Sequence, residues 1–200
     1  PAAVPAVRQG VRGPARWPWA ALAALVGVSW AAFAWASLSQ QWAYATNAYD
    51  LSWFDQIAWN TAHGRWFQTN FLPYNFLGEH FEPVLVAIAG LYRLWPGVQT
   101  LLVLQATAMA LAAVPLYLAV RRLLDSALAG LLAAAAYLLA PQIQRAVLYD
   151  FHPELLGPLA LFSAFALLVH GRPWWAVAAV EVDIAAGVGR SAARLPTGYR

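Results

Sequence analysis

The sequence predicts an all-α protein, a bundle of helices that crosses a membrane several times. Two observations predict it. Hydrophobic residues make up 62% of the chain and charged residues 10%, a balance that ordinary soluble domains do not reach. The apolar residues also come in long runs rather than in the 3.6-residue alternation of a soluble helix. The lack of cysteine excludes disulfides, thiolate chemistry and Cys-type metal sites. The net charge of +3 does not point to nucleic acid, because the arginines are scattered at the ends of apolar runs, where membrane topology accounts for them.

Residues 1–16 carry Arg8, Arg12 and Arg16 among Pro, Gly and Ala and read as a disordered cytoplasmic arm. The membrane domain is expected over residues 17–180. Its first span, residues 17–38, has about 22 apolar or small residues, enough to cross ~30 Å of hydrocarbon. A cleavable signal peptide ending near Ala34-Trp35-Ala36 is the rival. Trp17, Trp19, Trp30 and Trp35 lie towards the ends of the run, as an aromatic belt would, and favour a retained helix. A polar stretch follows, with a short amphipathic helix expected from Leu51 to His63. Residues 84–95 are apolar but too short to span, so they read as re-entrant or interfacial. Further spans are expected at 98–120, 126–140 and 154–169, with a fifth beginning at Trp174 and interrupted by Glu181 and Asp183. Residues 181–200 read as an irregular tail, the end of a truncated or frame-disrupted chain.

With the N-terminus inside, Arg8, Arg12, Arg16, Arg121, Arg122 and Arg172 fall on the cytoplasmic side, and Arg65, Arg93 and Arg145 outside. The acids sort the other way, with Asp50, Asp55, Glu79, Glu82, Asp150 and Glu154 outside and Asp125 inside. This is the positive-inside pattern, and it gathers the polar chemistry on the extracytoplasmic face of a multi-pass cell-membrane protein.

On a helix, Asp50 and Asp55 stand about 140° apart at 100° per residue, so they cannot both serve one pocket. Asp50 occupies an expected N-cap position, and cap and catalytic base both stand as readings. For Asp55 the readings are a catalytic carboxylate or a solvated polar face. Glu79-His80-Phe81-Glu82-Pro83 and Asp150-Phe151-His152-Pro153-Glu154 each set an imidazole and carboxylates beside a proline that opens a helix. Proline and acids suit a first helical turn. Glu79, His80, Asp150 and His152 also suit a divalent metal or phosphate-handling site. Arg93 and Arg145 either reach for the headgroups or contact the phosphate of a lipid-linked substrate.

Tyr49-Asp50-Leu51, Phe54-Asp55-Gln56, Trp59-Asn60-Thr61, His63-Gly64, Asn75-Phe76-Leu77-Gly78, His80-Phe81 and Asp150-Phe151-His152-Pro153 together resemble a bacterial family of predicted membrane proteins, domain of unknown function 2079. The resemblance covers roughly residues 17–180. It implies a relation to the GT-C glycosyltransferases, multi-span enzymes that take sugars from polyprenyl-phosphate donors with an Asp in the first extracytoplasmic loop as base. Asp50 matches that position. The implied function is a polyprenyl-phosphate-sugar-dependent glycosyltransferase at the outer face. The alternatives are a transporter or flippase and a catalytically inactive membrane fragment. Transport calls for ionisable or broken-helix features near the midplane, whereas the clearest runs here are plain Ala, Leu and Val inside.

Overall fold

The computed structural model describes residues 16–185, and every regular element among them is helical. The expected arm at 1–16 and the tail at 181–200 lie almost wholly outside the described residues.

Helix α1, Trp17–Trp42, is 26 residues long, or about 39 Å at 1.5 Å per residue. It buries a single stripe through Leu22, Val26, Phe33, Ala34 and Ser37 and leaves Trp19, Val28, Trp30 and Trp35 exposed. In a membrane those exposed apolar residues meet lipid. Helices α2 (Ala48–Ala62) and α3 (Leu85–Tyr92) follow, with a 3-10 turn at Phe76–Gly78 between them. Helices α4 (Val98–Leu111) and α5 (Ala113–Leu123) form one 26-residue apolar span with a break at Ala112. Pro115 explains the break, since it has no N–H to offer the carbonyl of Leu111.

Helix α6, Ala127–Leu139, is capped by Ser126, whose hydroxyl accepts the Ala129 N–H at 3.2 Å. It lies close against α5 at Gly130, where an added Cβ would fall 2.8 Å from the Tyr117 backbone oxygen. Helix α7, Pro141–Leu148, opens on a proline and bends 48° from α6. A 3-10 turn at Pro153–Leu156 leads into α8 (Gly157–Val169), and α8 pairs with α9 (Pro173–Ala185).

Two of these helices are long and apolar enough to cross a membrane, or three if α6 and α7 form one broken span. The apolar stretch Pro153–Val169 is shorter. α1 runs antiparallel to α4 and α5: the Trp19 ring meets Tyr117 edge-on at 5.6 Å, and Trp30 Nε1 donates to Thr107 Oγ1 at 2.9 Å. Near the end of α1, Ser37 Oγ donates to the Val147 carbonyl of α7 at 3.2 Å.

One apolar core, with Phe33, Met109, Tyr117 and Leu138, fills the space among the long helices. There, close packing rather than water exclusion supplies the cohesion. A second core at the other end joins α2, α3 and the start of α4 through Phe54, Ile57, Phe76, Leu85, Leu101 and Phe151. It mounts the polar segments on the bundle.

Candidate functional site

Helix α2 starts earlier than the sequence reading placed it. Asn47, not Asp50, is its N-cap: Asn47 Oδ1 accepts the Tyr49 N–H at 3.4 Å, and Asp50 sits in the first turn. There it complements the positive end of the helix dipole.

Asn47 also joins two distant acids. Its backbone N–H donates to Asp150 Oδ1 at 3.1 Å, and its Nδ2 donates to Asp50 Oδ2 at 3.4 Å. The Tyr149 hydroxyl donates to the same Asp50 oxygen at 3.3 Å. Asp50 is half-buried, whereas Asp150 is only 3% exposed and its Oδ2 has no partner. Burial pushes the Asp150 carboxyl above the usual carboxylate range. The Asn47 N–H opposes that shift, the Asp50 charge adds to it, and His152 opposes it.

His152 lies beside them, its ring 5.2 Å from Tyr149 and 5.9 Å from Phe54. Its Nδ1 is 2.9 Å from the Asp150 carbonyl. A carbonyl only accepts, so in the neutral ring Nδ1 carries the proton and Nε2 is left as an acceptor. Beneath the cluster, the buried side chain of Gln105 in α4 ties the chain down. Its Nε2 donates to the Val147 and Tyr149 carbonyls at 3.2 and 3.3 Å, and its Oε1 accepts the His152 N–H at 3.0 Å. One amide thus pairs the Tyr149 carbonyl and the His152 N–H beyond the end of α7 and shares the Val147 carbonyl with the Ser37 hydroxyl.

The second cluster stands across the Phe54–Phe76 ring pair, with His80 tilted over Phe76 at 5.6 Å. Glu82 is 1% exposed, its Oε2 is unpartnered, and His80 Nδ1 is 3.9 Å from its Oε1. Burial, with the Glu154 charge adding to it, pushes Glu82 up to about 8. Glu79 turns elsewhere and accepts the Tyr74 hydroxyl at 2.7 Å.

Asp55 belongs to neither cluster. It accepts the Tyr92 hydroxyl at 2.8 Å, linking α2 to α3. Burial raises its carboxyl and the Tyr92 hydrogen bond opposes the shift. Arg93 Nε donates to the Ala62 carbonyl at 2.8 Å, satisfying the end of α2, and Arg145 is exposed in the last turn of α7. Among the described residues no hydrogen bond or ion pair links either arginine to Asp50.

Among the described residues no three His, Asp or Glu side chains come together to hold a metal ion. Glu79, His80, Asp150 and His152 are divided between the two clusters, so they do not form a coordination sphere. The arrangement instead offers an accessible carboxylate, Asp50, backed by a buried acid and flanked by an imidazole. Asn47, Tyr149 and Gln105 build this site and escaped the sequence reading. For Gln105 a signal existed, as an amide in the middle of an apolar run.

The chain belongs to the family described as predicted membrane protein (DUF2079), which matches residues 40–183. The match takes in both clusters. With its long apolar helices, the chain is an integral membrane protein. No curated protein and no solved structure matches it.

Proposed function

We propose that the protein is a GT-C-type glycosyltransferase that moves a sugar from a polyprenyl-phosphate carrier to an acceptor hydroxyl at the outer face of the membrane. The observation that carries this reading is the placing of Asp50. It stands in the first turn of the helix that follows α1, half-exposed, with hydrogen bonds on Oδ2 from Tyr149 and Asn47 and none on Oδ1 among the described residues.

In this reading Asp50 Oδ1 takes the proton of the acceptor hydroxyl as the acceptor oxygen attacks the anomeric carbon. The bond from that carbon to the phosphate oxygen breaks, and the carrier phosphate leaves with the electron pair. Arg93 and Arg145 are the cations proposed to meet the developing phosphate charge. Asp150 and Gln105 hold Asn47 and Tyr149 in place as positioning residues.

A multi-pass topology with a cytoplasmic N-terminus goes with the proposal. The start of α1 lies beside the end of α5, with the Arg121 guanidinium 5.5 Å from the Trp19 ring, while Asp50, Glu82, Asp150 and Glu154 stand at the other end of these helices. Arg121 and Arg122 stand at one end of the helices, while Arg65, Arg93 and Arg145 share the other end with these acids; the arginine pair beside the start of α1 supports the positive-inside reading.

The test is transfer from a radiolabelled polyprenyl-phosphate hexose by protein reconstituted in vesicles. Asp50→Asn is expected to lower the rate by about 100- to 10,000-fold while donor binding persists. Transfer by Asp50→Asn at the wild-type rate would remove Asp50 as the base.

A further inference from the structure

A second face of α2 carries Tyr49, Trp53, Gln56 and Asn60, spaced four, three and four residues apart, so they share one side of the helix. At 100° per residue this side lies roughly a quarter turn from Asp50. Residues 65–75 fold back over it. Gln56 Oε1 accepts the Thr69 hydroxyl at 2.9 Å and the Asn70 backbone N–H, and Asn60 Nδ2 donates to the Gln68 carbonyl at 2.9 Å. Asn60 Oδ1 takes both Nε and Nη2 of Arg65, at 2.9 and 2.6 Å.

These bonds brace the loop and frame a cavity of about 690 Å³ beside the helix. That volume lies within the range of about 300–1,000 Å³ found for small-molecule sites. Its lining is mostly neutral amide and aromatic, and Arg65 is its one charged residue among those described. The Trp59 ring, 43% exposed, is stacked on one side by His63 at 4.1 Å, and the Tyr74 ring is half exposed. The Asn70 side-chain amide and Gln56 Nε2 have no hydrogen-bond partner among the described residues, because the bonds that hold the loop use other atoms of these residues.

The lining chemistry restricts the ligand. Carboxamides present a donor and an acceptor side by side, which matches hydroxyl groups that both give and accept. Aromatic faces suit the C–H faces of a sugar ring. An apolar ligand would leave the amides unpaired, at a cost. A phosphate would find one guanidinium with two of its nitrogens already committed to Asn60. We propose that this groove is a saccharide-binding site, and that it seats the acceptor glycan. The second clause rests on the transferase reading, whereas the first does not.

The experiment uses the full chain in nanodiscs with no donor present, so its outcome is independent of transfer. Saturation-transfer NMR is recorded with the methyl α- and β-pyranosides of glucose, mannose and galactose. At least one is expected to show saturated ring protons. The signal should fall by about fivefold or more, a change of roughly 1 kcal/mol, in both Trp59→Ala and Asn70→Ala. It should persist in Tyr44→Ala, an exposed ring outside the groove. Asn70→Ala guards against misfolding, because the backbone rather than the side chain of Asn70 braces the loop. Absence of signal for all six glycosides overturns the site. So does an undiminished signal in both groove variants, or displacement of the glycoside by inorganic phosphate. Glycoside binding by a protein that transfers no sugar would support the site and refute the transferase.

Discussion

Segments 79–83 and 150–154 look alike in sequence, yet the protein uses them differently. Each buries one acid, Glu82 or Asp150, and each leaves one oxygen of that acid unpartnered. The difference lies in the other oxygen. Asp150 Oδ1 accepts the Asn47 N–H, and the same asparagine holds the accessible Asp50. Glu82 has only His80 at 3.9 Å and the repulsion of Glu154. A buried carboxylate with a donor is a positioned part of a site, whereas one without a donor keeps its proton instead. Two similar strings of residues thus yield a buried acid tied to an accessible carboxylate in one case and a buried protonated acid in the other.

The sharpest way to break this contrast is Glu82→Gln, for which the largest effect is expected. Glu82 ionises near 8 in the folded protein, against 4.5 as its ordinary value. Between these limits the folded state holds a proton that the unfolded state has released. Stability therefore falls as pH rises from about 4.5 to about 8 and levels off above. At about 1.4 kcal/mol per pH unit the whole loss is roughly 5 kcal/mol. Thermal unfolding in detergent between pH 5 and 9 should show the wild-type melting temperature dropping with pH and that of Glu82→Gln dropping much less. Parallel curves for the two proteins would mean that Glu82 is not the protonated acid.

Gln105→Leu comes next and tests the Asp150 side. It removes three hydrogen bonds at a buried position and leaves the Tyr149 carbonyl and the His152 N–H without them. The Val147 carbonyl keeps the Ser37 hydroxyl. The expected loss is roughly 2–4 kcal/mol, together with faster amide exchange at His152. A variant as stable as wild type would show that this amide does not clamp the site.

Gln105 also marks where reading the sequence stopped. The helical membrane class was legible, because unbroken apolar runs with so little charge have few other solutions. The start of α2 was missed by three residues, since both Asn47 and Asp50 are residues that cap helices and only the fold shows which one does. The bend between α6 and α7 was not legible either: an apolar run up to Pro141 gives length, not angle. The site depends on pairings between Asn47 and Asp150 and between Gln105 and His152. Those contacts join segments far apart in the chain, and no local pattern encodes them. Glu82 lies one residue and Asp150 three residues before a proline, and the likeness of the two segments concealed their different hydrogen bonding.

The smallest expected effect concerns Asp50. Its contacts to Tyr149 and Asn47 are long, at 3.3 and 3.4 Å, and both are exposed. Hydrogen bonds at that distance lie at the weak limit of the usual geometry. Tyr149→Phe should therefore cost less than about 1 kcal/mol of stability. A double-mutant cycle with Asp50→Ala should give a coupling of roughly 0.5 kcal/mol, at the low end for residues in contact. The corresponding cycle between Gln105→Leu and Tyr149→Phe should show no coupling beyond this, because Gln105 grips the Tyr149 backbone and not its ring. A coupling of several kcal/mol between Asp50 and Tyr149 would place Asp50 in the structural framework. Weak coupling keeps its carboxylate available to a hydroxyl arriving from outside, which a base needs and a framework acid does not.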